Sequence, residues 1–425
     1  MNKSVPFGRN SSRVLPLTLA LLGISLNIPE AKAVGEPIAS RSTNIAINAD
    51  GTRLINLNQD SDSVSVFRVN PSGAGQNALT KLAEVKLGDE PHCVAIHPTK
   101  AEAYVTTADG FVAVLSLTAN KVVKTIAVKS EPRGCALTPT GNLLYVANHT
   151  HGSVSVINTT ERKVVATTGQ TFGRPWAITV SNDGDGVDTD ERVFVTDFFA
   201  EVIPPLAGGP GRPFDTGSRG RVISFPVGDF KLQTTTILSP LSDSGFTADR
   251  TAFCAPTAHS QVYCPNPAPP DLAKVPQGAF PNQLYDALIR NGQMFVPSIG
   301  AAPEPPVRFN VNVQALVHAV NTSTLQEIPD NHVNLNAQIK DEVQPDPPTA
   351  SLARLFGNDI VAVDANSEGT DYFFVSRGGN YVLKAKLVDG KLNIGAPDGV
   401  TRFKTGHIPT GIVVSPDGKR AYTNN

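Results

Sequence analysis

Residues 134–167, GCALTPTGNLLYVANHTHGSVSVINTTERKVVAT, hold four short runs of alternating apolar residues, at 135–138, 143–147, 154–157 and 163–166, with turn residues between them. Alternation with a period of two over such short runs predicts antiparallel strands. Pro139 and Gly141 fit the first turn, one with φ already fixed and the other free to take positive φ. One four-stranded sheet cannot cover both of its own faces, so the unit requires neighbours of its own kind. The chain supplies them: Pro98 precedes Pro139 by 41 residues, and Lys121-Val122-Val123 precedes Lys163-Val164-Val165 by 42. Related stretches begin at Ile45, Trp176, Leu284, Asp359 and Gly411. A four-stranded unit recurring every 40–45 residues is the mark of a β-propeller. The expected fold is therefore all-β, a seven-bladed β-propeller of four-stranded antiparallel blades with the last blade incomplete, because the seventh copy supplies only 411–415 and 420–425.

Residues 1–33 are of a different character. Lys3, Arg9 and Arg13 precede an apolar run at 14–26, and Ala31-Lys32-Ala33 offers a small-residue cleavage site, the pattern of a secretory signal peptide. The mature propeller is expected over 34–425, exported to the periplasm or cell surface, with no later segment apolar enough to span a membrane. A formal net charge of −2 on 425 residues argues against a nucleic-acid partner.

The segments LLYVANHTHGSVSVINTTERKVVAT (143–167) and IPTGIVVSPDGKRAYTNN (408–425) resemble the YVTN-type β-propeller repeats of exported proteins. NDGDGVDTDERVFVTDFFAEV (182–202) and FFVSRGGNYVLKAKL (373–387) are similar to the propeller part of exported proteins in which a cytochrome c region, like the di-haem peroxidases, follows. That resemblance implies a longer protein whose c-type haem lies in a C-terminal domain after Asn425, since this chain has no CxxCH. The propeller would then dock or present substrate to that domain or to a protein partner.

The even, regular spacing is broken by insertions at 181–192, 201–219 and 241–281. The first carries Asp183, Asp185, Asp188, Asp190 and Glu191 among glycines, a set of hard oxygen ligands suited to Ca²⁺, with a solvated acidic turn as the alternative. In the last, Cys254 and Cys264 bracket nine residues and are expected to form a disulfide in an oxidising compartment. Cys93 and Cys135 fall one position out of step on neighbouring first strands, so their side chains point to opposite sheet faces and two buried thiols are expected.

The pseudo-rotation of a propeller gathers equivalent residues at one end of its channel. Aligned on the first turn, these are Thr43, His92, Arg133, Trp176, Gln283, Asp359 and Thr410. His92, Arg133, Trp176, Gln283 and Asp359 combine a base, a cation, an aromatic platform and polar groups, a set able to bind a small polar or anionic ligand. The eight histidines are scattered, with only His149 and His151 close in sequence, and HExxH, GxSxG and P-loop motifs are absent. Three functions fit: an exported binding or scaffold module of a redox protein, a propeller enzyme of lactonase or lyase type working at the channel mouth, and a cell-surface structural protein.

Overall fold

The structure is a computed structural model that describes residues 37–204, 214–252, 254, 264, 270–305, 307, 312–340 and 356–425. The expected signal peptide at 1–33 and parts of the insertions at 201–219 and 241–281 lie outside the described residues. No helix among the described residues is long and apolar enough to cross a membrane.

The repeat at 134–167 folds as read, into Pro132–Leu137, Leu143–Asn148, Ser153–Asn158 and Lys163–Thr167, joined antiparallel in that order. This is blade three. Along its second strand alternate residues serve different neighbours. Leu144 and Val146 join Cys93, Ala95, Tyr104 and Val112 of blade two in one core. Tyr145 and Ala147 join Ile178, Val193, Val195 and Phe225 of blade four in the next. Both faces of the sheet are buried, which is why these strands are apolar at nearly every position rather than at every second one.

Blades one and two have the same four-stranded order, their first strands being Ile45–Ile47 and Pro91–Ile96. Blade four starts at Pro175–Val180 and blade six at Ile360–Ala365. Blade five is centred on Gln293–Ala301 and Val313–Asn321, and its outer edge is reduced to the short strands Gln326–Glu327 and Val333–Asn334. Among the described residues there are six blades, not the expected seven of which the last was to be incomplete. The seventh copy is a hairpin, Gly411–Val414 with Ala421–Asn424, lying between the first strands of blades six and one.

The N-terminal segment does not pair with that hairpin. Ser40–Arg41 pairs antiparallel with the innermost strand of blade four, Ser40 opposite Val180 and Arg41 opposite Thr179. Arg41 is buried between two carboxylates, its Nη1 3.0 Å from Asp286 and its Nη2 3.3 Å from Asp364, and it donates to the Ile412 carbonyl at 2.9 Å. Asp364 also meets Arg290 at 3.3 Å. The segment thus lies along the ring axis, tied to blades four, five and six and to the hairpin.

The insertions are fastened by polar contacts. Arg250, 2% exposed, bonds Glu304 at 2.5 Å and Asp215 at 3.4 Å, and burial pushes the Asp215 carboxyl up to about 7. Cys254 and Cys264 are joined by a disulfide. The expectation for the other pair of cysteines is overturned: Cys93 and Cys135 are also bonded, with Cα atoms 5.8 Å apart. The reason is the geometry of stacking. One face of blade two meets the opposite face of blade three, so residues pointing to opposite faces of successive blades point toward each other.

Candidate ligand site at the channel mouth

The second residue of the first strand in blades two, three and four is His92, Arg133 and Trp176, and these three line one cavity of about 320 Å³. Of the other expected positions Thr43 and Thr410 also line it, and Gln283 and Asp359 are replaced by the true equivalents of His92. They are Tyr285 in blade five and Val361 in blade six, both lining the cavity, with Asn44 and Thr410 completing the circle. Gln283 and Asp359 do not line it. They sit two residues upstream with φ of 53° and 58°, as Glu90 (40°) and Glu131 (54°) do before His92 and Arg133.

These upstream residues brace the mouth. Glu131 holds Arg133, accepting from its Nε at 3.1 Å. Gln283 accepts from the Tyr285 hydroxyl at 3.2 Å. Asp359 accepts from Nε of Arg377 at 2.5 Å, and Arg377 in turn donates to the Tyr285 hydroxyl at 3.0 Å. Arg377 follows the second strand of blade six and reaches the cavity from outside the inner circle. Sequence reasoning missed it, as well as Tyr285 and Gln59, although Arg377 stands in line with His149 and Phe198 just after the second strands of blades three and four.

The site has an aromatic half and a polar half. Trp176 stacks on Phe198 at 4.2 Å, with Tyr285 edge-on to both rings and His149 edge-on to Trp176. The Arg133 guanidinium lies 5.0 Å from the Trp176 ring centre and Arg377 lies 5.2 Å from that of Tyr285. Each cation is thereby held against a ring face, a placement that favours the charge at little cost in entropy. His149 belongs to this cluster, contacting the Pro175 carbonyl, whereas His151 contacts Ser153, so the two do not converge.

His92 is the chemically distinctive group. Its Nε2 lies 2.6 Å from Nη1 of Arg133 and its Nδ1 2.9 Å from the Gln59 amide. Burial, and then the Arg133 charge, push its ring down to about 3, so it is a neutral imidazole at neutral pH. Burial works against ionisation of Glu131, yet hydrogen bonds from Thr150 and Arg133 hold its carboxyl below the usual range. Gly134 allows this crowding: a Cβ there would fall 2.2 Å from the Trp176 carbonyl and 2.5 Å from the Ser42 hydroxyl.

The acidic loop divides into two groups. Asp183, Asp185 and Asp190 are exposed and bring their oxygens within 4.8 Å of one another. Asp188 instead accepts from the backbone and hydroxyl of Thr140, and Glu191 is buried and accepts from the Asp183 N–H at 2.7 Å.

Residues 72–176 match a family model described as a lactonase, 7-bladed beta-propeller. That stretch contains all of blade two and blade three and ends on Trp176. No curated protein matches the chain. Among solved structures, hydrazine synthase of Kuenenia stuttgartiensis is similar with a TM-score of 0.58 at 16% identity, covering 93% of this chain and 95% of that one. A putative 6-phosphogluconolactonase from Bacteroides uniformis follows with 0.51 at 11% identity, covering 89% and 87%. Another from Bacteroides fragilis gives 0.52 at 12% identity, covering 86% and 85%. At such identities the likeness is one of fold, and the fold is an all-β propeller.

Proposed function

We propose that this chain takes a small anionic cyclic ester at the channel mouth and hydrolyses it, as a lactonase would. The observation that carries the reading is a neutral, buried His92 whose Nε2 meets the Arg133 guanidinium at 2.6 Å beside the Trp176 face. The lactonase family match over 72–176, which includes all three residues, supports it. So do the two putative 6-phosphogluconolactonase folds.

In this scheme the substrate ring lies in the cavity beside Arg133 and Trp176, and its remote anion meets Arg377. The carbonyl oxygen takes Arg133 away from His92. That frees Nε2 to accept a proton from the attacking water while Arg133 holds the developing oxyanion. The new C–O bond forms, the ring ester bond breaks, and the imidazolium returns its proton to the leaving alkoxide. Loss of a base contributes about 10²–10⁴ in rate and loss of an oxyanion partner about 10²–10³.

The test is the initial rate of acid release from 6-phosphogluconolactone, with uncharged gluconolactone as comparator, for the wild type, His92→Gln and Arg133→Gln. A wild-type rate equal to spontaneous hydrolysis, together with no heat of binding for 6-phosphogluconate, overturns the proposal.

A second reading, in which the exported propeller is a docking platform for a c-type haem domain, is supported by Phe199. This ring is 50% exposed at the rim, edge-on to Phe198, where it extends the aromatic half of the mouth outward. The sequence resemblance of 182–202 and 373–387 points the same way. Covalent haem on the whole gene product, measured by mass, would favour this reading over a self-sufficient enzyme.

A further inference from the structure

Away from the channel, at the joint between blades four and five, three residues distant in sequence converge. His318 lies on the central strand Val313–Asn321, Glu327 ends the short outer strand Gln326–Glu327, and His332 follows the turn Pro329–Asn331. The imidazole rings are 4.4 Å apart. His332 Nε2 lies 2.5 Å from Glu327 Oε1, and His318 Nε2 lies 3.9 Å from the same oxygen. One ligand atom from each residue falls within 4.8 Å of the others. Side-chain exposures are 1% for His318, 9% for Glu327 and 8% for His332.

This cluster does not read as a finished hydrogen-bond network. His318 Nδ1 is buried without a partner. His332 Nε2 faces the Glu327 carboxylate across 2.5 Å. Glu327 forms no ion pair with a Lys or Arg among the described residues, which leaves a buried carboxylate without a permanent cation. Two imidazole nitrogens and one carboxylate oxygen therefore converge on a common centre.

We infer that His318, Glu327 and His332 form a binding site for a borderline divalent transition metal, Zn²⁺ foremost, that clips blade five to blade four. Two imidazole nitrogens and one carboxylate oxygen are a donor set that Zn²⁺ accepts. Metal–ligand bonds of 2.0–2.2 Å place tetrahedral donors roughly 3.3–3.6 Å apart, a geometry reached from the present separations by side-chain shifts of about 1 Å. The Ser239 carbonyl, 3.0 Å from His318 Nε2, is a fourth donor at hand, and the Ser239 N–H orients Glu327 at 2.9 Å. Ligation through Nε2 moves the ring proton of His318 to Nδ1.

The structural role follows from where Ser239 sits. It comes directly after the outer strand Thr234–Leu238 of blade four, while the outer edge of blade five has only two-residue strands. A metal there supplies cross-links that this short ladder cannot.

The test uses the full chain after chelator treatment. Co²⁺ is added as a spectroscopic probe and then displaced with Zn²⁺, and metal content and thermal midpoint are measured in parallel. The expected result is one Zn²⁺ per chain, tetrahedral Co²⁺ bands lost on adding Zn²⁺ but not Ca²⁺, and a higher midpoint with metal. His332→Gln is expected to weaken binding by more than the 10–100-fold typical of losing an outer-shell partner. Asp183→Asn/Asp185→Asn is expected to leave it unchanged. Absence of Co²⁺ bands in the wild type, or loss of binding in the Asp variant, overturns the inference. Should His332→Gln not fold, the wild-type spectrum and the Asp variant still decide it.

Discussion

Replacing Arg41 with Met tests whether the axial segment is integral to the fold. The change keeps the length of the side chain and removes its charge. Asp364 retains Arg290 at 3.3 Å and the Val414 N–H at 2.8 Å. Asp286 retains the N–H groups of Val363 and Ala287, at 3.0 and 2.8 Å, but loses its cation. Breaking one side of a buried pair costs about 3–5 kcal/mol because the remaining charge is left uncompensated. At a urea slope of about 3 kcal/mol per molar, the unfolding midpoint falls by about 1–1.7 M. Burial already pushes the Asp286 carboxyl up, against the pull of Arg41. Without Arg41 its folded pKa rises further above the unfolded value of about 3.9. A raised folded pKa adds stability at pH below the unfolded value and forfeits it as pH rises through the folded value. The deficit should therefore be largest at neutral pH and shrink as pH falls toward 4. Adding Asp286→Asn to the variant should recover much of the loss. Equal midpoints for Arg41→Met and wild type at pH 7, or no recovery with Asp286→Asn, would refute the argument.

Two further predictions concern blades two and three. Cys93 and Cys135 are 42 residues apart, and closing a loop of that length is worth about 4 kcal/mol on the chain-entropy account; a Cys93→Ser/Cys135→Ser variant should melt earlier than the wild type, and an unchanged midpoint would remove the bridge from the account of stability. The depressed pKa of His92 means that the unfolded chain binds a proton the folded one refuses, so stability should fall as pH drops from about 6.5 toward 3. His92→Gln should lessen that loss, and Arg133→Gln should raise the His92 pKa seen by NMR, since Arg133 is its second cause after burial; a titration unmoved by Arg133→Gln would refute the coupling.

The blades were most legible where nothing interrupts the period. In blade three the turn chemistry and alternation locate each strand to within a few residues, because local pattern and tertiary need agree there. The mouth was half legible. His92, Arg133 and Trp176 follow a Pro that marks the register, whereas blades five and six lack that Pro, and alignment on the first turn landed on the bracing residues Gln283 and Asp359. Their positive φ is a backbone property with no fixed residue signature outside Gly and Asn. Anchoring on the apolar run of the first strand instead would have reached Val361. The cysteine pairing was misread for want of one fact about stacked sheets, that facing sides carry opposite parity. His318, Glu327 and His332 left no trace in the sequence, since the turn that unites them belongs to no repeat.

The axial segment has a consequence for how a ring of look-alikes finds its order. Blades built from one pattern offer many near-equivalent partners, and a blade could stack on the wrong neighbour, or on a blade of another molecule, with little loss of apolar contact. Ser40 and Arg41 bind at one time the strand edge at Thr179 and Val180 of blade four, Asp286 of blade five and Asp364 of blade six. Only one circular arrangement brings these together on the axis. A stretch of a few polar residues thus acts as a key, giving each blade a distinct address in a structure whose hydrophobic surfaces alone would leave the seating ambiguous.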